Sequence, residues 1–149
     1  VDLETGRVRV LRVVAVHDVG RVLNPKGLAS QFYGGILQGI GLALMEDRIV
    51  DERTGVVVNA NLQDYKVPTM ADCPEMIVRA VDIPDTAANH IGSKGAGEPP
   101  IIPTPAAIAN AIYDAVGVRV RSLPVTPRRL LESLGTPSSQ VGRSQESGS

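Results

Sequence analysis

Apolar side chains first crowd together from Val8 to His17, where Val8, Val10, Leu11, Val13, Val14 and Val16 form a mostly β-branched run interrupted by Arg9 and Arg12. Such density predicts a largely buried strand, ended by Asp18-Val19-Gly20. Asn24-Pro25 marks a turn, after which the period changes. Leu28, Phe32, Ile36, Ile40 and Leu44 recur every four residues and predict a helix from about Lys26 to Glu46 with one apolar face. Arg48 to Val50 and Val56 to Val58 read as two short strands of a hairpin whose loop uses Gly55 for a positive φ. Asn61 to Val67 reads as loop or short irregular helix, anchored by Tyr65 and stopped by Pro68, and Met76 to Ile83 as a strand. Two helices close the pattern. The first has Thr104 as cap, Pro105 at its first position, a buried stripe of Ile108, Ile112, Ala115 and Val116, and Gly117 past its end. The second has Thr126 as cap, Pro127 next, Leu130, Leu131 and Leu134 inward, and Gly135 as terminator. Between them Val118 and Val120 alternate with Arg119 and Arg121, which predicts a short strand. Strands mixed with helices, without regular βαβ alternation, predict an α+β fold over residues 1–135. Residues 136–149 are rich in Ser, Gln and Gly and poor in apolar side chains, so a disordered tail is expected there.

Glycine changes the picture of the long helix. Gly34, Gly35, Gly39 and Gly41 each cost about 1 kcal/mol relative to alanine in a helix interior. A sequence that tolerates this loss requires bare backbone, for another helix or for a ligand to approach closely, and helix packing is the commoner of the two reasons. Gln31 and Gln38, seven residues apart, fall on nearly the same face. If buried, each must find partners for both its amide and its carbonyl, in a polar ligand, a neighbouring loop or a structural hydrogen bond.

The densest chemical signal is Gly92-Ser93-Lys94-Gly95-Ala96-Gly97-Glu98-Pro99-Pro100. A residue before proline is driven out of the α region, so Glu98 is expected to stand extended at the end of a glycine-rich bend with its carboxylate held outward. Successive N–H groups in such a bend can form a concavity for an anion, with Lys94 beside it. An ordinary surface turn with a solvated glutamate is the competing reading of the same nine residues.

Composition narrows the function classes. The chain of 149 residues is 43% hydrophobic with net charge −1, which suits one ordinary globular domain. Basic residues are scattered and aromatics are only 3%, so neither a phosphate-tracking stripe nor a stacking platform for nucleic acid is present. Cys73 alone cannot form an internal disulfide or a cysteine-rich metal site, and His17 and His90 lack ligand spacing, so no metal ligand is assigned. No run of 18 apolar residues predicts a membrane span. A cytoplasmic setting is the default, with a periplasmic one left open. The first residue is Val1 and strand-like sequence follows almost at once, so residues upstream are expected.

Taken in order, Asp18-Val19-Gly20, Asn24-Pro25, the stretch from Gln31 to Gly41, Asp64-Tyr65-Lys66-Val67-Pro68, the Gly92 to Pro100 loop and Ala109-Asn110-Ala111-Ile112 resemble the C-terminal part of the molybdenum-binding subunit of the xanthine dehydrogenase and aldehyde oxidase family. The resemblance covers about Val10 to Leu134. It implies a portion of an enzyme that hydroxylates an aldehyde or N-heterocycle with water as the oxygen source, using molybdenum held by molybdopterin, either bare or as the cytosine dinucleotide. Glu98 matches the family's general base, Gln31 its cofactor-contacting glutamine, and Gly95, Ala96 and Gly97 the loop whose backbone runs beside the cofactor. Gln38 matches the pattern as a structural residue. The implied partners are the remainder of the molybdenum subunit, iron–sulfur and flavin (FAD) subunits or domains, and a small-molecule substrate. The remainder would complete the cofactor and substrate sites, so this portion is expected to be inactive alone and to expose an apolar face. A non-catalytic anion- or nucleotide-binding module, or a structural remnant of a truncated subunit, are the alternatives.

Overall fold

Residues 1–135 are described by a computed structural model. Its elements are β1 (Arg12–Asp18), α1 (Pro25–Leu44), β2 (Glu75–Val81), α2 (Pro103–Val116) and α3 (Pro127–Gly135), with a single 3₁₀ turn at Met70–Asp72. The architecture is α+β: three helices and a two-stranded sheet. The expected tail at residues 136–149 lies outside the described residues.

α1 begins where its sequence signals say. Asn24 caps it by accepting from the Gly27 N–H, and Pro25 occupies the first turn, where its missing N–H costs nothing. Phe32, Ile36, Ile40 and Leu44 are buried along the predicted face, with Gly35, Gly39, Gly41 and Ala43 beside them. Leu28, one turn earlier, is half-buried.

The strands run parallel, in register from Arg12 opposite Glu75 to Asp18 opposite Val81, with α1 in the connection between them. Parallel pairing requires such a crossover, and α1 covers one face of the sheet. His17 stacks on Phe32 at 4.7 Å between ring centroids, and Val78 joins the same core. The buried strand expected from Val8 to His17 is corrected in two respects. It starts at Arg12, because the Cys73 N–H, next in line to pair with residue 9, is turned to Met70 O in the 3₁₀ turn. Its burial alternates, and Val14 and Val16 are 62% and 59% exposed, because among the described residues nothing covers the second face of the sheet.

α2 ends as read, with Gly117 at φ 71° and its N–H on Tyr113 O. Its start differs. Thr104 lies inside the helix, buried, and its hydroxyl donates to Pro100 O at 2.8 Å instead of capping. Ile108 and Ile112 are buried, whereas Ala115 is exposed. Thr126 caps α3 through the Arg129 N–H, and Leu130 is fully buried, with Leu131 more open. Residues 118–121 form no strand: Val118 and Val120 are half-buried, so the alternation reports sidedness, but no neighbouring strand supplies a ladder. The hairpin about Gly55, at φ 72°, is present as one bridge, Val50 to Val57, with Asp51 Oδ1 accepting from the N–H groups of Arg53 and Thr54. Tyr65 anchors its segment as expected, donating from its hydroxyl to Glu46 Oε2.

Candidate functional site

The segment carrying Glu98 is built from the end of β1 outward. Gly20 pairs with Ser93 in an antiparallel bridge, Arg21 N donates to Gly92 O at 2.7 Å, and Lys94 N donates to Val19 O at 2.7 Å. Gly20 and Gly92 are required here by conformation, with φ of 63° and 77°. A side chain at Gly20 would also meet Gly92 O at 2.3 Å. Asn89 closes the preceding turn, its amide donating to Ser93 O.

Lys94 is drawn away from the bend it was expected to serve. Its ammonium lies 2.6 Å from Asp18 and 3.3 Å from Asp85, so two carboxylates hold one cation. The hydrogen bonds with Asp18 and Asp85 raise the Lys94 pKa, and those same bonds lower both aspartates. The expected anion concavity with Lys94 beside it is therefore corrected: this lysine ties the loop to the end of β1. Nothing in its sequence neighbourhood marked the pairing, since Asp18 stands 76 residues away.

Beyond the tie the loop changes character. Gly95 and Gly97 have no positive φ, and a side chain at either would meet nothing within 4 Å. Neither backbone conformation nor packing among the described residues demands glycine at these two positions. Ala96, between them, is half-buried against the core. The Glu98 side chain is exposed, and among the described residues no hydrogen bond or ion pair engages its carboxylate. Its carbonyl accepts from Ile101 N at 2.9 Å, which closes a turn over Pro99 and the fully buried Pro100.

That turn sits directly on α1. A side chain at Gly35 would meet Pro100 Cβ at 2.6 Å, and one at Gly39 would meet Thr104 Cβ at 2.5 Å. Two of the helix glycines are thus explained by close approach of the Glu98 loop and the start of α2. Gly41 is filled by Glu46 and Pro68, while Gly34 faces open space. Residues 31, 35 and 38 stand at i, i+4 and i+7, so Gln31 and Gln38 flank the position where Pro100 lands. Both glutamines are exposed, so neither is a buried amide, and the alternative of a polar ligand stays open for them. Glu98 stands two residues before the buried Pro100, which lies against Gly35 of α1, one helical turn from Gln31. Among the described residues no group of three or more His, Cys, Asp or Glu side chains is placed to hold a metal ion, and no helix is long and apolar enough to cross a membrane.

Residues 1–74 match the family described as molybdopterin cofactor-binding domain; Gln31 lies inside the match and Glu98 beyond it. The chain is 47% identical over 132 residues to the xanthine dehydrogenase molybdenum-binding subunit of Escherichia coli, covering 89% of this chain and 17% of that protein. It is 45% identical over 130 residues to the aldehyde oxidoreductase molybdenum-binding subunit PaoC of Escherichia coli, covering 87% and 18%. Among solved structures, aldehyde oxidoreductase from Desulfovibrio gigas superimposes with a TM-score of 0.82 at 35% identity, over 91% of this chain and 14% of that one. Quinoline 2-oxidoreductase from Pseudomonas putida 86 does so with a TM-score of 0.78 at 35% identity, over 87% and 17%. The chain thus spans under a fifth of the length of the relatives it matches.

Proposed function

The chain belongs to the molybdenum-binding subunits of the xanthine dehydrogenase and aldehyde oxidase family, and from that premise we propose that it is the portion of a larger molybdenum hydroxylase subunit that supplies the catalytic base, Glu98. The observation that carries this reading is the seating of the Glu98 loop on α1 through Gly35 and Pro100, one helical turn from Gln31, with a carboxylate left unpaired and two glycines left unexplained among the described residues.

The residues fit a molybdopterin cofactor. Gly95 and Gly97 offer backbone that a side chain would cover, and the exposed Gln31 amide, one helical turn from Gly35, supplies both a donor and an acceptor. Gln31, Gly95, Ala96 and Gly97 would hold the group, whether bare or as its cytosine dinucleotide. When bound, the cofactor supplies the two-electron oxidising centre. Glu98 takes a proton, on a carboxylate oxygen, from the water-derived oxygen that attacks an electron-poor carbon of an aldehyde or N-heterocycle. The buried Pro100 limits wandering of the loop, and positional error of a base costs rate. Lys94, held by two aspartates, brings no unpaired cation to the carboxylate. The same pairing counts against a module that grips an anion through Lys94.

Electrons leaving such a site require acceptors, which on this reading are iron–sulfur and flavin partners in the complete enzyme. The remainder of the subunit completes the cofactor and substrate sites, so this portion alone is inactive. Replacing Glu98 by Gln in the full-length subunit keeps the shape and removes the base. Turnover is expected to fall by about 10²- to 10⁴-fold, with molybdenum content by metal analysis unchanged. Retained turnover overturns the assignment.

A further inference from the structure

β1 has a second edge. In a parallel ladder, alternate residues of a strand bond to the same neighbour. Glu75 N donates to Leu11 O and the register pairs Arg12 with Glu75, so Leu11, Val13, Ala15 and His17 serve β2. The N–H and C=O groups of Val14 and Val16 therefore face the opposite edge, where among the described residues no backbone partner meets them.

That edge does not open onto a bare surface. It borders a groove of about 700 Å³ between β1 and α2. On the far side α2 presents Pro103, Ala107, Ile108, Ala111 and Ala115, all small or apolar side chains. An extended strand lies about 4.8 Å from its neighbour and about 10 Å from a layer packed on its face. The slot offers such a strand an unpaired edge on one side and alanine side chains on the other. Parallel sheets of two strands are also unusual, because parallel strands are normally covered on both faces by further elements. The relatives are about five times as long as this chain, so in them abundant polypeptide of the same subunit lies outside the matched portion.

We propose that the groove between β1 and α2 is the seat of a third strand from the remainder of the subunit, an extended segment that pairs with the backbone of Val14 and Val16 and packs apolar side chains on the alanine wall of α2. This rests on the chain being a portion of a larger subunit. The occupant is a strand and not a helix, because a helix leaves the edge groups unpaired and in an apolar groove they would be buried without partners.

Amide hydrogen exchange on the full-length subunit, read at single residues, tests it. The amides of Val14 and Val16 are expected to exchange about 100-fold or more slowly than an unpaired amide, within reach of those of Val13 and Ala15. Exchange at the unpaired rate, while Val13 and Ala15 stay protected, overturns the proposal. So does protection that vanishes on dilution to the monomer, which would assign the edge to a second copy. Val14→Pro removes only the N–H that faces the groove, and an edge with no partner tolerates proline. The variant is expected to lower the melting temperature of the full subunit; an unchanged melt contradicts the third strand. A subunit that retains molybdenum and loses turnover on Glu98→Gln, yet leaves Val14 and Val16 unprotected, keeps the proposed function and loses this inference alone.

Discussion

Glycine has three separate uses at the candidate site, and substitutions distinguish them. Gly92 is needed for a positive φ, Gly35 for the approach of Pro100, and Gly95 and Gly97 for neither. Gly95→Ala and Gly97→Ala are therefore expected to leave the melting temperature of the full subunit within about 1 kcal/mol equivalent of the parent, while lowering bound molybdenum. Unchanged metal content would remove these glycines from the cofactor surface. The Lys94 tie has a pH signature. The folded pKa values of Asp18 and Asp85 lie below the ordinary 3.8, so their contribution is complete above that value and is lost as pH falls through the lowered values. That of Lys94, raised above 10.5, is complete below 10.5 and is lost as pH rises through the raised value. Order in the loop is expected to be flat across the intervening range and to fall in acid, read as amide protection factors from Ser93 to Glu98. All three groups are partly or well exposed, so high salt should weaken the tie as well.

At the scale of elements, α1 and the Glu98 loop act as one unit because Pro100 lies against bare helix backbone. Gly35→Ala places a methyl group 2.6 Å from Pro100 Cβ, and the neighbour is a rigid ring rather than a flexible tip. Helix propensity favours the substitution by about 1 kcal/mol, while overpacking costs about 1–3 kcal/mol, so net destabilisation is expected. Turnover should fall with it, because the displaced loop is the one bearing Glu98. A variant melting at or above the parent temperature with full turnover would show that the loop does not depend on this contact. α1 was legible because its apolar period, Asn24 cap and Pro25 coincide on one reading. The supposed strand at residues 118–121 was not, because alternation records which side is buried and says nothing about whether a partner strand is within reach. Thr104 shows the same limit at a helix end. Thr-Pro is a sound capping signal, but the buried Pro100 carbonyl competes for the hydroxyl.

Among the described residues one core joins the sheet to the helices, and Phe32 belongs to it, only 1% exposed and in tilted ring contact with His17 of β1. Phe32→Ala is expected to cost the full subunit about 3–5 kcal/mol, read by denaturant or thermal unfolding. A loss below about 1 kcal/mol would mean that the contact between α1 and the sheet is secondary. The exposed valines of β1 have the opposite character: among the described residues nothing covers them, so their replacement should cost the fold of residues 1–135 little.

Local chemistry in the chain was enough to determine α1, both C-terminal helices, the hairpin turn at Gly55 and the outward presentation of Glu98 before proline, because each depends on side chains and backbone preferences within a few residues. The ordered motifs sufficed for family membership. Only the tertiary structure decided that Lys94 belongs to Asp18 and Asp85, that Gln31 and Gln38 face outward, and that Gly35 and Gly39 are bare for the Glu98 loop and the start of α2. Each depends on which segments of the folded chain come together, and periodicity carries no information about which segment will arrive. The same holds for β1: its composition called for burial on both faces, but a sheet of two strands with one covering helix can bury only one.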